Sequence, residues 1–277
     1  MFVFASIADW TYSLVMAVVQ GLTEFIPISS SGQLSILNMF FDGDPQAAVD
    51  FYFFLHIPTT IAAIVYFRND IKDFLISWLP KNKESMPGER RTTLFLIISM
   101  FVTGVIGLLF AGHLADLSSN LLVLGIMFLV TAVMLVSSEY TLQKSKLHRT
   151  MDKLTPTRAA LIGLFQGLAI FPGISRSGAT IAGGLWMGLT RVQATRYSFL
   201  LLIPVVIAGS LRDIVRLVQG TLILPSTLIL IVTFVIAGVV GYLTIAGMIK
   251  LVSKTSLNWF AVYAVVLGLV LITLYFV

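Results

Sequence analysis

The chain has 277 residues, of which 57% are hydrophobic and only 11% charged, against roughly 25% charge in soluble domains. With a mean hydropathy of +0.96, this excludes both a water-soluble enzyme and a disordered chain, and puts the protein in a bilayer. The absence of Cys excludes a disulfide framework, a thiolate metal site and a cysteine nucleophile. The net charge of +5 is spread between apolar runs, so no basic nucleic-acid-binding patch forms and no nucleic acid partner is expected.

Residues 1–9 carry no Lys or Arg and no cleavable signal pattern, so the amino terminus is expected to belong to the fold. A helix crossing about 30 Å of hydrocarbon needs about 20 mostly apolar residues. In chain order, 12–41 is apolar but broken near its middle by Gly, Pro and Ser, and full spans follow at 49–67, 92–112 and 121–138. The same order then recurs, with a broken region at 157–189 and spans at 197–218, 226–249 and 258–277. Arms such as 12–19 and 34–41 would cover only about 12 Å each. Each broken region therefore reads as a re-entrant helix pair, which a membrane tolerates only where irregular backbone is buried in protein or lines a wet cavity.

The two halves align at an offset of 146. Residues 20–34 and 166–180 share eight of 15 positions, and without a gap Phe53, Leu55, Ile57 and Pro58 fall on Phe199, Leu201, Ile203 and Pro204. Three spans per half is an odd number, so the second half must insert upside down, as in many transporters. The predicted fold is an all-α polytopic membrane protein: six transmembrane helices plus two re-entrant helix pairs in an inverted-topology internal repeat. It forms a single membrane domain over 1–277, with repeat 1 at about 12–138 and repeat 2 at about 157–277.

An ionised side chain at membrane depth is costly and marks a functional site by default, which singles out Glu24 and Arg176. Around Arg176, Gly173, Ser175, Ser177 and Thr180 supply a glycine loop, hydroxyls and a helix start, which are parts of an anion site. Ser29, Ser30, Ser31 and Gly32 repeat the arrangement, so two facing loops match the two phosphoryl groups of a diphosphate. Glu24, six residues before Ser30, can act as a general base, hold a cation or pair with Arg176. Gln20, one helical turn earlier, reads as a hydrogen-bond orienter.

The combination of Gln20-x-x-x-Glu24 with Pro172-Gly-x-Ser-Arg-Ser-x-x-Thr180 resembles the bacitracin-resistance family of undecaprenyl-diphosphate phosphatases, from about Tyr12 to the carboxyl end. The resemblance implies a cell-membrane enzyme that removes the terminal phosphate of a polyprenyl diphosphate, from a pocket open to the outer face, and so recycles the carrier lipid for cell-wall polymers. It implies Glu24 as the essential acid, Ser30 as candidate nucleophile, and Arg176 with Ser175, Ser177 and Thr180 as the diphosphate clamp. A divalent cation, Mg or Ca, is also implied, with Glu24 the residue to hold it. Gln33 stands where the family usually has histidine and cannot shuttle a proton near neutral pH. His56 in the first span is the residue to replace it if its helix faces the site, and otherwise a buried neutral histidine bonding a carbonyl near Pro58. Expected partners are the polyprenyl diphosphate and membrane lipid, with a homodimer as a further partner to test. The competing class is an alternating-access carrier for a lipid phosphate or a small anion.

Orientation follows from Lys and Arg in the loops. Segment 68–91 holds Arg68, Lys72, Lys81, Lys83, Arg90 and Arg91, 113–120 holds none, and 139–158 holds Lys144, Lys146, Arg149, Lys153 and Arg158. The crowded loops, with Arg191, Arg196, Lys250 and Lys254, are expected in the cytoplasm; Arg212, Arg216, the loop 113–120 and both termini are expected outside. Single cysteines can test this in a chain that has none: Ser118→Cys should react with an impermeant thiol reagent in intact cells and Lys83→Cys should not, and the opposite result overturns the orientation.

Overall fold

A computed structural model describes residues 7–82, 84–110, 120–145 and 148–277. Most of the expected empty loop, 113–119, lies outside the described residues, as do the side chain of Arg212 and residues 83 and 146. Eleven helices follow in order among the described residues: α1 Ile7–Thr23, α2 Ser30–Phe40, α3 Pro45–Tyr66, α4 Arg68–Ile76, α5 Pro87–Phe110, α6 Leu121–Lys144, α7 Pro156–Leu168, α8 Arg176–Trp186, α9 Arg191–Val218, α10 Thr227–Val252 and α11 Asn258–Phe276. No β-strand occurs among them.

Six of these, α3, α5, α6, α9, α10 and α11, are long and apolar enough to cross a membrane, which matches the six expected spans. Several of them outrun their expected limits, α6 and α9 the most. α6 continues to Lys144 because Glu139, buried in its last turns, accepts two hydrogen bonds from Arg191, at 2.8 and 2.6 Å, and the Leu257 N–H at 2.9 Å. α9 starts at Arg191 for the same reason. α4, unexpected from hydropathy, continues the chain in helical form directly after α3, with Asp70 in its first turn favoured by the helix dipole.

The four shorter helices come in two pairs, α1 with α2 and α7 with α8. α1 has 17 residues, about 25 Å, and is longer than the arm expected from apolar residues alone. Its last turn is polar yet paired: the Thr23 hydroxyl donates to the Val19 carbonyl at 2.7 Å. α2 and α8 each have 11 residues and open on a serine cap, Ser29 accepting from Gly32 N–H and Ser175 from Gly178 N–H.

α3 and α9 run antiparallel through the centre. Asp50 near the start of α3 binds Arg216 near the end of α9 at 2.7 Å, while Asp70, just past α3, binds Arg196 near the start of α9. Between these charged ends lies an aromatic layer, with Phe25 and Phe199 edge to face at 5.1 Å and Phe67 against Phe199 at 6.5 Å. α1 packs on α10, α7 on α5, and α6 on α11. Membrane helices associate closely where small residues let backbones approach. At Gly163 of α7 an added Cβ would lie 2.4 Å from the Ser99 carbonyl oxygen of α5, and at Gly125 of α6 2.8 Å from the Gly268 carbonyl oxygen of α11.

Gly163→Leu should therefore separate α5 from α7 and cost about 1–3 kcal/mol, read as a thermal midpoint several degrees lower in detergent. Gly107→Leu, where an added Cβ meets nothing within 4 Å, should leave the midpoint unchanged.

Candidate active site

The break after α1 puts Glu24 one residue beyond the helix end, its N–H still bonded to the Gln20 carbonyl at 3.0 Å. Its side chain is only 2% exposed, and an unpaired carboxylate at that depth would be very costly. Four elements supply its partners. Gln20 of α1 donates Nε2 to Oε2 at 3.1 Å, and Ser30, first residue of α2, donates its hydroxyl to Oε2 at 2.7 Å. His56 of α3 brings Nε2 to 3.4 Å from Oε2, and Arg176, first residue of α8, brings Nη1 to 3.4 Å from Oε1.

His56 is held from behind, with its Nδ1 2.7 Å from the Tyr52 carbonyl. A carbonyl only accepts, so Nδ1 carries the proton, and the Nε2 lone pair faces Glu24 when the ring is neutral. Both readings of this residue meet here, since it bonds a carbonyl and also faces the acid.

Arg176 is 28% exposed, and its buried Nη1 has no hydrogen-bond acceptor among the described residues. Gln20 Oε1 is likewise buried without a partner. The guanidinium is thus anchored on one edge by charge, and its planar fork remains available to an anion, the geometry in which Arg binds phosphate oxygens bidentately.

The remaining expected residues stand behind this cluster. The Ser175 hydroxyl caps α8 at Gly178 N–H, 3.0 Å, and lies 3.2 Å from that of Ser177. Ser177 in turn donates to the Ile26 carbonyl at 3.1 Å, tying the two broken regions together. Thr180 donates to the Arg176 carbonyl at 2.8 Å and meets the Ser198 hydroxyl of α9. Ser29 caps Gly32 N–H at 3.3 Å and lies 3.4 Å from Ser31. Gly173 has φ 95°, and an added Cβ would lie 2.7 Å from Met127 Cβ, so the loop needs glycine both for its conformation and for its approach to α6. Gln33 uses both ends of its amide on other parts of the chain, donating to the Ile28 carbonyl and accepting at the protein surface from the hydroxyl of the exposed Tyr263. These groups shape the loops, and none of them contacts Glu24 directly.

Sequence reasoning missed Thr131 and Ser198. The Thr131 hydroxyl of α6 donates to the Gly173 carbonyl at 3.2 Å and accepts the Ser175 N–H at 3.0 Å, fixing the turn that presents Arg176. The signal was a hydroxyl inside an otherwise apolar span.

A profile of the family described as Bacitracin resistance protein BacA matches residues 13–270. The chain belongs to that family. Among its relatives, a protein named Undecaprenyl-diphosphatase from Mycolicibacterium smegmatis is 39% identical over 272 residues, covering 96% of each chain. Undecaprenyl-diphosphatase 1 of Corynebacterium jeikeium is 37% identical over 98% of this chain and 96% of its own. A relative of the same name from Bacteroides fragilis is 35% identical over 95% and 97%.

The free guanidinium edge carries a direct expectation. Arg176→Lys keeps the charge and loses the fork, so affinity for inorganic diphosphate, measured by calorimetry on purified protein, should fall at least tenfold with little change in thermal midpoint. Near-native affinity in that variant would leave Arg176 as no more than a counter-ion for Glu24.

Proposed function

We propose that this chain is an integral-membrane undecaprenyl-diphosphatase, which hydrolyses the lipid diphosphate to the monophosphate and inorganic phosphate. The observation that carries the reading is the buried Glu24 hydrogen-bonded to Ser30 beside an arginine whose fork is free. Nucleophile and base within hydrogen-bond reach, with a third group orienting the base, is the arrangement covalent catalysis requires.

In the proposed reaction, Arg176 binds the diphosphate and neutralises charge on the terminal phosphoryl group. Ser30 Oγ attacks the terminal phosphorus, its proton passes to Glu24, and the bond to the bridging oxygen breaks, releasing the lipid monophosphate. Water then hydrolyses the phosphoserine and restores the serine. Such transition states are loose, so positioning and charge neutralisation supply most of the rate. His56 Nε2 is placed to take the proton onward from Glu24, the task Gln33 cannot perform. Ser29, Ser31, Ser175, Ser177, Thr180 and Gly173 hold the two loops that carry Ser30 and Arg176.

A divalent cation fits as a companion of the substrate. Mg²⁺ is usually held by one or two carboxylates plus phosphate oxygens, and Glu24 is the carboxylate here. The described residues contain no group of three or more His, Asp or Glu side chains able to hold a metal by themselves. When bound, such an ion would add to the neutralisation of phosphoryl charge.

The inverted repeat and its re-entrant pairs are supported by the register of the helices. α2 and α8 have the same limits at the offset of 146, as do their cap pairs and the prolines inside α3 and α9, Pro58 and Pro204. Packing supports it reciprocally: Gly21 of α1 meets α10, and its counterpart Gly167 of α7 meets α5. The charged ends of α3 and α9 support a cytoplasmic side at Asp70 and Arg196 and an outer side at Asp50 and Arg216. Only one half carries the reactive set, since Ile170 replaces Glu24 and Leu202 replaces His56 in the second. That asymmetry favours a single hydrolytic site over a two-sided carrier.

Purified protein in detergent should release phosphate from undecaprenyl diphosphate, faster with Mg²⁺ or Ca²⁺ than with chelator, whereas a carrier would release none. Glu24→Gln and Ser30→Ala should lower kcat at least a hundredfold, and His56→Ala by roughly ten- to a hundredfold, within the range for general acid–base groups. Normal turnover by Glu24→Gln would remove the carboxylate from the mechanism.

A further inference from the structure

Ser29 immediately precedes Ser30 and aims it. It stands at φ 65°, ψ 88°, whereas its counterpart Ser175 stands at φ −70°. A left-handed conformation at serine is strained and persists only where the surroundings over-determine it. The turn has short backbone bonds, Ile28 N–H to the Ile26 carbonyl at 2.8 Å and Gln33 N–H to the Ser29 carbonyl at 3.0 Å, but the Ser29 hydroxyl itself is held loosely, 3.3 Å from Gly32 N and 3.4 Å from Ser31 Oγ. Two side chains add bonds to the carbonyls of the turn. Ser177 donates to the Ile26 carbonyl at 3.1 Å, and Gln33 Nε2 donates to the Ile28 carbonyl at 3.1 Å.

The Gln33 amide has two unlike ends, and something must distinguish them. Tyr263 of α11, 230 positions away in the chain, donates its hydroxyl to Gln33 Oε1 at 2.9 Å. That bond leaves Nε2 directed at the Ile28 carbonyl, which can only accept. The second half has Ala179 at the corresponding position, where Ser175 is unstrained. The extra amide therefore accompanies the strained turn. α2 also needs the support more than α8 does: Ser177 to Leu185 of α8 are all buried, while Ile36, Leu37 and Phe40 of α2 are partly or fully exposed.

We infer that Tyr263 and Gln33 form a brace from α11 to the Ile28 carbonyl that holds the strained Ser29 turn and so registers Ser30 against Glu24 and Arg176. Both are positioning residues, with Tyr263 acting through Gln33. The consequence for turnover rests on the phosphatase reading above, whereas the brace itself does not.

Two measurements test it on the full-length protein in detergent. In steady-state assays, Tyr263→Phe should lower kcat about three- to tenfold with KM within twofold, and Gln33→Ala should do the same or slightly more. Because one acts through the other, the double variant should be no slower than Gln33→Ala. Gln33→Glu keeps an acceptor for Tyr263 but offers no donor to Ile28, so it should be as slow as Gln33→Ala. In hydrogen–deuterium exchange, which needs no activity, amides across 29–34 should exchange faster in Tyr263→Phe and Gln33→Ala, with the thermal midpoint unchanged. Native kcat in Tyr263→Phe, losses that multiply in the double variant, or unaltered exchange across 29–34 would each overturn the brace. A change in KM alone would assign Tyr263 to substrate contact instead. If the native protein releases no phosphate, the phosphatase reading fails and the exchange arm still decides the brace.

Discussion

A single carboxylate, Glu24, enclosed among the packed helices, sets the terms for the rest of the structure. Its burial is tolerable only because a guanidinium, an imidazole, an amide and a hydroxyl converge on its two oxygens. Those groups come from α1, the start of α2, the middle of α3 and the start of α8. A continuous helix could not bring a helix start to this cluster. Breaking the chain at 24–29 and again at 169–175 exposes the N-termini of α2 and α8 there, and makes Ser30 and Arg176 first residues of their helices.

The broken backbone has to be satisfied in turn, and the surrounding hydroxyls do this. Ser175 caps α8, Ser177 bonds the Ile26 carbonyl, and Thr131 accepts the Ser175 N–H. Among the described residues, this leaves Arg176 with a buried donor that no protein acceptor takes up. An anion arriving there would meet a preorganised fork and a serine already bonded to its base. Such an arrangement needs little reorganisation during reaction.

The two halves differ where chemistry requires it. They share serine caps and the limits of α2 and α8, yet Glu24 and His56 lie opposite Ile170 and Leu202, and Ser30 lies opposite Arg176. The first half thus contributes Glu24, Ser30 and His56 to the cluster, and the second contributes Arg176. The tight packing of α8 makes Arg176 a fixed reference, while the strained Ser29 places Ser30 in a looser element that needs support from elsewhere.

Composition and periodicity determined the six spans, because about 20 apolar residues have one stable placement in a bilayer. The offset of 146 exposed the sequence similarity between the two halves, and the cost of burying charge alone marked Glu24 and Arg176. Their convergence with Ser30 and Gln20 was legible in motif spacing. The extent of α6 and α9 was not, because Glu139 and Arg191 read as chain-end charges until they are seen to neutralise each other across 52 positions. Nor was the direction of any hydroxyl: Ser175, Ser177 and Thr180 have the composition of a phosphate cradle, and only the tertiary structure turned them inward onto Gly178, Ile26 and Ser198. Gln33, which stands where the family usually has histidine, likewise accepts a hydrogen bond from Tyr263, 230 positions away. Burial cost depends on residue type and depth, which a sequence carries, whereas a hydrogen bond depends on which distant partner lies within about 3 Å, and only the packed helices decide that.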